Sequence, residues 1–439
     1  MKTQNSNELK VLIFGHTFSN GSAGITMQTL FSNWRKEQLY CASPGDEEMA
    51  KYFTSFYRIG NKEIKSRFPF SLFYKYKVES KTINNYSQCN HNKQESQISK
   101  KRYLYETIVN PILKLLKVYP FRLKYQLSND LIQWTKSINP DIIYMVVGSL
   151  DDCKLLNNIL NFIPNVRSVA HFYDDWINVA PSKTFIPHIY KRKLDQELNI
   201  LFSKVSVCFS ISKYMSEEYN KRYGRSFTPF HNPIDILRYN NKLQKASTRK
   251  IKIITYLGRV DNDNYDVIND VIKAVNELYN EGIKYRIKIY TNLNTKESFI
   301  NKKIHKSLNI DIMPFIAHEK IPNLLMNESD VLLLPNSFSK KSNIYTKYSI
   351  STKLTEYLAS KTPILVYAPK DIAISNFCSD NKCAKLINRR NKLLLKSSLV
   401  ELYNNSMVEM VERGYNIAIK NFTTDIVCAK FDHLLTWEK

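Results

Sequence analysis

Short, unbroken apolar runs recur along this chain, and most are followed by a segment with apolar residues at helical spacing. In the first half they are KVLIFG (10–15), a run ending at Cys41–Gly45, DIIYMVVG (141–148), SVAHFY (168–173) and KVSVCFSIS (204–212). In the second half they are KIITYLGR (252–259), YRIKIYT (285–291), IDIMPFI (310–316), DVLLLPN (330–336) and TPILVYAP (362–369). Strands this continuously apolar are buried on both faces. Between them, helices are predicted over ITMQTLFSNW (25–34), KYMSEEYNKRYG (213–224) with Ser212 as its cap, VINDVIKAVNELYNEG (267–282) closed by Gly282, HEKIPNLLMNES (318–329) and STKLTEYLAS (351–360). Alternation of this kind builds a parallel, doubly wound sheet. The aperiodic stretch FHNPIDILRYNNKLQKAS (230–247) interrupts it, after which the alternation starts again. The expected fold is therefore α/β, with two consecutive Rossmann-like domains, ligands at the carboxyl ends of the strands, and a cleft between the sheets. The expected boundaries are 1–235, 236–415, and a last helical segment, 416–439, crossing back to the first domain. The first domain carries an insertion at about 50–130, whose residues 62–126 read as basic helices and loops with a polar, low-order patch at 84–101.

Composition supports this picture and narrows it. A chain of 439 residues with 43% hydrophobic residues suits two sizeable cores. Seven cysteines at 41, 89, 153, 208, 378, 383 and 428 include no CxxC, and an odd count argues against a disulfide framework. The polar start MKTQNSNELK runs directly into a strand, and no apolar run reaches the roughly 18 residues of a membrane helix. A soluble, cytoplasmic protein is expected, peripheral at most at the inner face of the cell membrane. The formal net charge is +24, and residues 51–126, with sixteen Lys/Arg against four Asp/Glu, supply twelve of those charges. Aromatics are interleaved there, in RFPFSLFYKYK (67–77) and KKRYLYETIVNPILKLLKVYPFRLKY (100–125). That composition suits an anionic membrane surface or a lipid-linked substrate, or simply a solvated lysine-rich face. No nucleic-acid motif accompanies it, so nucleic acid is not expected as a partner.

Candidate chemistry concentrates in SISTKLTEYLASKTPILVYAP (349–369), where hydroxyls and Lys353 open a helix. A helix start offers free N–H groups and the positive end of the dipole to an anion. Arg259 follows Gly258 at a strand's carboxyl end and can clamp a phosphate. The loop GSAGIT (21–26) is a second strand-to-helix turn, with Gly24 and the amides of Ile25 and Thr26 as anion donors, though it is neither a P-loop nor a GxGxxG. Asp261 and Asp263 read as solvated loop acids rather than metal ligands, and no metal is expected, since two cations could neutralise a diphosphate.

The ordered set YLGRV (256–260), PFIAHEKIP (314–322), DVLLLP (330–335) and STKLTEYLASKTPIL (351–365) resembles the donor-binding half of GT-B glycosyltransferases of the group one, family four type. HNPID (231–235), the glycine loop at 10–26 and HFYDDW (171–176) also fit, so the resemblance spans most of the chain outside about 50–130. It implies that Lys353 and Arg259 hold the diphosphate of a nucleotide-sugar, with Ser351, Thr352, Gly258 and the Gly24–Thr26 loop beside it. It places Glu356 on the ribose hydroxyls and Ile316, in the turn PFIA, at the base. His171 would contact the donor sugar near the reacting carbon, and Asp174 and Asp175 the acceptor. The implied reaction is sugar transfer with retention from a nucleotide-diphosphate sugar, without cofactor, to a glycan or lipid-linked acceptor hydroxyl in glycan or polysaccharide biosynthesis. The chain departs from the family pattern twice. Asn264 stands where a second cation is usual, and Tyr348 where a sugar-side glutamate is usual. These departures leave two alternatives: a degenerate GT-B binding protein, or a nucleotide-sugar epimerase of the same fold.

Overall fold

A computed structural model of the chain describes residues 9–15, 18–19, 21–68, 70–72, 75–84, 105–240, 249–261, 263–292, 304 and 307–436. The chain forms two compact units, Met1–Phe230 with Lys430–Lys439, and His231–Ala429.

In the first unit the strands are β1 (Val11–Phe14), β2 (Leu39–Ser43), β3 (Ser55–Arg58), β4 (Ile64–Ser66), β5 (Lys81–Asn84), β6 (Leu123–Tyr125), β7 (Ile142–Val146), β8 (Arg167–Phe172), β9 (Val207–Ser210) and β10 (Phe227–Pro229). The main sheet runs β10-β9-β8-β7-β1-β2-β3-β5 and is parallel except at its β3–β5 edge. Every residue of β1 is fully buried, as a strand covered on both faces must be. Ser212 caps the helix Lys213–Tyr223 by accepting from the Met215 amide at 3.0 Å.

The segment read as an insertion differs from expectation. It begins after β3, which belongs to the main sheet, and its described part contains strands as well as helix. β5 extends the sheet, and β4 pairs with β6 in a separate two-stranded ribbon. Strands of three or four residues carry too little alternation to stand out in sequence. The fully buried Glu63 fastens this region, accepting from Gly60 N at 3.0 Å, Ser80 Oγ at 2.5 Å, Tyr57 Oη at 2.8 Å and Ser128 Oγ. Most of the patch at 84–101 lies outside the described residues.

In the second unit the strands are β11 (Lys252–Leu257), β12 (Tyr285–Thr291), β13 (Ile310–Pro314), β14 (Val331–Pro335), β15 (Ile364–Tyr367) and β16 (Lys385–Ile387), all parallel in the order β13-β12-β11-β14-β15-β16. This is the doubly wound Rossmann order, in which the winding reverses between β11 and β14. The helix Tyr265–Asn280 buries Val267, Val271, Ile272, Val275 and Leu278 against this sheet. The stretch 318–329 is helical from His318 to Glu328 as expected, but its winding changes along the way, tight over His318–Lys320, α over Ile321–Asn323 and wide over Leu324–Glu328. A further helix, Lys340–Thr346, follows β14; its KKSNIYT sequence gives no apolar period to reveal it.

The unit boundary falls at 230/231 rather than 235/236. Ile234 is bonded into the second unit: its N–H donates to Phe422 O at 2.8 Å, and its carbonyl accepts from Thr424 N at 2.9 Å. The return to the first unit comes at 429/430 rather than 416. Two helices, Val408–Asn421 and Thr424–Thr436, replace the single expected segment. The former packs on Lys353–Ala359, where Gly414 admits the Leu358 side chain.

Candidate active site

The carboxyl ends of β11 and β14 flank the switch point of the second sheet, the place where such sheets leave a crevice. β11 runs into Gly258, whose φ of +143° lies where side chains are disfavoured. A side chain there would also have to push the end of Lys353 aside. A Cβ on Gly258 would sit 2.5 Å from Lys353 Nζ and 2.8 Å from its Cε. The glycine thus lets the Lys353 ammonium lie directly on the backbone after β11. The lysine arrives from the β14–β15 crossover, at the first position of the helix Lys353–Ala359. Its Nζ lies 5.3 Å from the centroid of the Tyr256 ring.

Desolvation pulls the Lys353 pKa down to about 8, and the neighbouring Arg259 guanidinium pushes the same way, against Glu356 and Asp261. Arg259 is exposed. Among the described residues neither Lys353 nor Arg259 has an ion-pair partner within salt-bridge distance. Two like charges held together, with Glu356 and Asp261 near but beyond ion-pair distance, make a site that an anion would relieve.

The Arg259 loop is braced from below. Tyr256 Oη donates to Arg259 O at 2.7 Å, and Asn264 Nδ2 donates to Tyr256 Oη at 2.8 Å and Arg259 O at 2.9 Å. Asn264 Oδ1 accepts from the Asp261 amide at 3.1 Å. Asn264, where the family pattern has a cation, is therefore a tie that fixes the clamp loop. Asp261 Oδ1 accepts from Asp263 N at 3.1 Å, so this acidic pair closes a turn on itself.

Glu356 pairs with His318 rather than with Lys353; His318 Nε2 lies 3.4 Å from Glu356 Oε1. On the other side Arg238 Nη1 meets His318 Nδ1 at 3.1 Å and its Nη2 donates to His318 O at 2.6 Å. A guanidinium can only donate, so Nδ1 accepts and the Nε2 hydrogen faces Glu356. Arg238 and His318 were missed as site residues, because they lie 118 and 38 positions upstream of Glu356 and only the fold joins them. Ile316 is half-buried in the turn after β13, two residues before His318. The helix bearing Lys353 is only seven residues long, and its first amide already points to Ser351 Oγ at 3.4 Å. Thr352 precedes it in helical conformation and makes no side-chain cap. The side chain of Lys353, more than the helix end, is thus the anion-seeking feature.

The first-unit candidates depart further from expectation. The helix after β1 begins at Ser22, and Ile25 N donates to Gly21 O at 2.9 Å. The amides of Ile25 and Thr26 are hence spent inside the helix, and those left over belong to residues 22–24. Gly24 serves a close approach: a Cβ there would fall 2.2 Å from Ser19 O. His171 is fully buried near the end of β8, with Nδ1 2.5 Å from Tyr144 Oη. Burial lowers its pKa to about 3, so it stays neutral at physiological pH. The half-buried Tyr173 ring, 4.5 Å away, packs against it. His171, expected to contact the donor sugar near the reacting carbon, is thus fully buried here and packed against Tyr173. Asp175 is likewise fully buried and fully engaged. It accepts from Tyr219 Oη at 2.9 Å, Asn178 Nδ2 at 2.7 Å and Arg222 Nη1 at 3.2 Å. It is a structural anchor and has no lone pair to offer an acceptor. Asp174, next to it, is half-buried and remains the carboxylate nearer solvent.

No protein-family model and no curated protein matches the sequence. Solved structures do match. A glycosyltransferase from Rickettsia africae superimposes with a TM-score of 0.60 at 10% identity, covering 98% of this chain and 100% of its own. The Anabaena protein HepE, solved in complex with UDP and glucose, gives 0.60 at 11% identity, with 98% and 100% covered. The N-terminal domain of Candida albicans trehalose-6-phosphate phosphatase gives 0.57 at 11% identity, with 97% and 96% covered. The chain has the GT-B fold. Its two doubly wound sheets are the two Rossmann-like halves of that fold, and the resemblance seen in the sequence is confirmed at the level of architecture. GT-B folds carry more than one named activity, so function rests on the residues of the site.

Proposed function

We propose that this protein transfers a sugar from a nucleotide-diphosphate donor to an acceptor hydroxyl, and that its second unit binds the donor. One observation carries the reading: Lys353 and Arg259, two cations with no acid within salt-bridge distance among the described residues, lie together at the switch point, with the Lys353 ammonium in the space a side chain at 258 would take. A diphosphate supplies the missing charge. When the sugar departs, negative charge grows on that phosphate, and cations already in place stabilise it without reorganisation. Glu356, oriented through His318 and Arg238, accepts hydrogen bonds from the ribose hydroxyls. The turn at Ile316 receives the base. Two cations suffice for the charge, so transfer proceeds without a metal and, on the family resemblance, with retention. The acceptor is a glycan or a lipid-linked glycan, and the setting is glycan or polysaccharide synthesis at the cytoplasmic face of a membrane.

The buried, neutral His171 and the fully engaged Asp175 favour a second reading, in which the protein binds nucleotide-sugars without turning them over. Calorimetry with UDP, GDP and ADP, followed by donor hydrolysis assays with the matching sugars, separates the two. Binding with turnover supports transfer, binding alone supports the second reading, and no binding to any nucleotide removes both. In Gly258→Ala the new methyl displaces the Lys353 ammonium and strains the backbone. Nucleotide affinity is expected to fall at least tenfold, and an unchanged affinity would remove Lys353 from the diphosphate site.

A further inference from the structure

The first unit carries an apolar face turned outward. Ile108, Ile112, Leu115 and Leu116 fall at i, i+4, i+7 and i+8, one stripe of a helical surface, and all four are exposed, Leu115 by 82%. The residue that this helix buries is polar, Asn110. The usual arrangement is therefore inverted. The stripe continues onto neighbouring segments. Phe185 N donates to Lys117 O at 3.2 Å, and the exposed Phe185 ring lies 5.4 Å from Phe121. Phe68, 79% exposed, follows Arg67, whose N–H donates to Arg122 O at 2.9 Å.

Cations border this face. Lys114 and Lys117 lie within the stripe and are exposed. Lys65 and Lys124 are register partners in the β4–β6 ribbon, both exposed, and neither has an ion-pair partner among the described residues. Like charges directly opposite one another destabilise a ribbon unless an anion lies against them. Lys65 also lines an open groove of about 520 Å³ with Ser66, Ser71 and Lys75.

We propose that this face docks on an anionic lipid bilayer, the apolar side chains entering the acyl boundary and the lysines meeting the headgroups. Charge complementarity selects this occupant. Projecting apolar side chains set among lysines without counter-ions match a surface that is apolar within and anionic at its edge. No helix among the described residues is long and apolar enough to cross a membrane, so the contact is peripheral. The proposal concerns the first unit alone and stands whether or not the second unit binds a nucleotide-sugar.

Sedimentation of the full chain with vesicles tests it. Phosphatidylcholine vesicles containing phosphatidylglycerol should pull the protein down, pure phosphatidylcholine vesicles should do so weakly, and high salt should weaken the former. In Leu115→Ser/Leu116→Ser, binding should drop about tenfold or more while unfolding stability holds, since both side chains are already in water. Lys65→Gln/Lys124→Gln should flatten the salt dependence. Leu237→Ser, an exposed apolar residue of the second unit, should change nothing. Absence of salt-sensitive binding overturns the proposal. So does a dimer by light scattering that the double serine variant dissolves, because the face would then belong to a second copy.

Discussion

Lys353 shows how one residue can trade stability for binding. Its ammonium is held partly out of water beside Arg259, and its pKa falls to about 8. In the unfolded chain a lysine titrates near 10.4. The charged form is thus disfavoured by folding, and the cost is fully present below about pH 8 and fades as pH rises toward the unfolded value. Lys353→Met should therefore raise the melting temperature at pH 7, with the gain shrinking above pH 8. The same substitution should lower nucleotide affinity by tenfold or more. In the native protein a bound diphosphate restores the charge, so binding takes up protons, and affinity should decline as pH passes from 7 to 9.5. Calorimetry in buffers of different ionisation enthalpy reads the proton uptake directly; zero uptake at pH 8 would contradict the assignment. The places of Gly258 after a strand and of Lys353 at a helix start were legible from local pattern, because their neighbours in sequence set them. Their supports were not. Tyr256, Asn264, His318 and Arg238 matter through contacts formed only when distant segments meet.

At the scale of elements, strands were easier to recognise than turns or ion pairs. The buried parallel strands announce themselves as apolar runs, while β4, β5 and β6 are too short to do so. The pair Asp174–Asp175 looked like two equivalent carboxylates beside an active site. The fold distinguishes them, because the helix Lys213–Tyr223 brings Tyr219 and Arg222 onto the fully buried Asp175, while Asp174 is half-buried. That contact ties the segment after β8 to the helix after β9. The Asp175 side chain is 1% exposed and that of Arg222 23%, so removing the carboxylate leaves a largely buried guanidinium with Glu218, 2.8 Å away, as its remaining acidic partner. Breaking a buried pair from one side typically costs about 3–5 kcal/mol. Asp175→Asn should therefore destabilise the protein by about 2–4 kcal/mol, the amide retaining some hydrogen bonds, as read by urea denaturation. Its nucleotide affinity should stay unchanged. A stable Asp175→Asn variant with weakened acceptor use would instead restore Asp175 to the site.

For the whole molecule, the sequence showed two repeated sheets but misplaced where each ends. The first unit is closed by residues more than two hundred positions beyond its own last strand, β10 ending at Pro229 and the return starting at Lys430. Phe431 is fully buried there, 5.1 Å from Phe31, 5.8 Å from Tyr144, 5.8 Å from Phe209 and 5.5 Å from Phe230. Asp432 accepts from Trp34 Nε1 at 2.7 Å and Asn33 Nδ2 at 2.8 Å, and Arg167 donates to Leu434 O at 2.7 Å. A last helical segment crossing back to the first unit was expected from residue 416; the return comes at Lys430, within the helix Thr424–Thr436. Emptying the aromatic cluster by Phe431→Ala should cost about 3–5 kcal/mol. That cost falls on the first unit, while a nucleotide bound at Lys353 stabilises the second by mass action. Scanning calorimetry should then show two responses: Phe431→Ala lowering one transition, and UDP raising the other. A single transition moved by both would mean that the two units unfold as one cooperative block. In that case the closure of the first unit and the donor site of the second would share one stability, and a loosened C-terminal helix would weaken nucleotide binding from a distance.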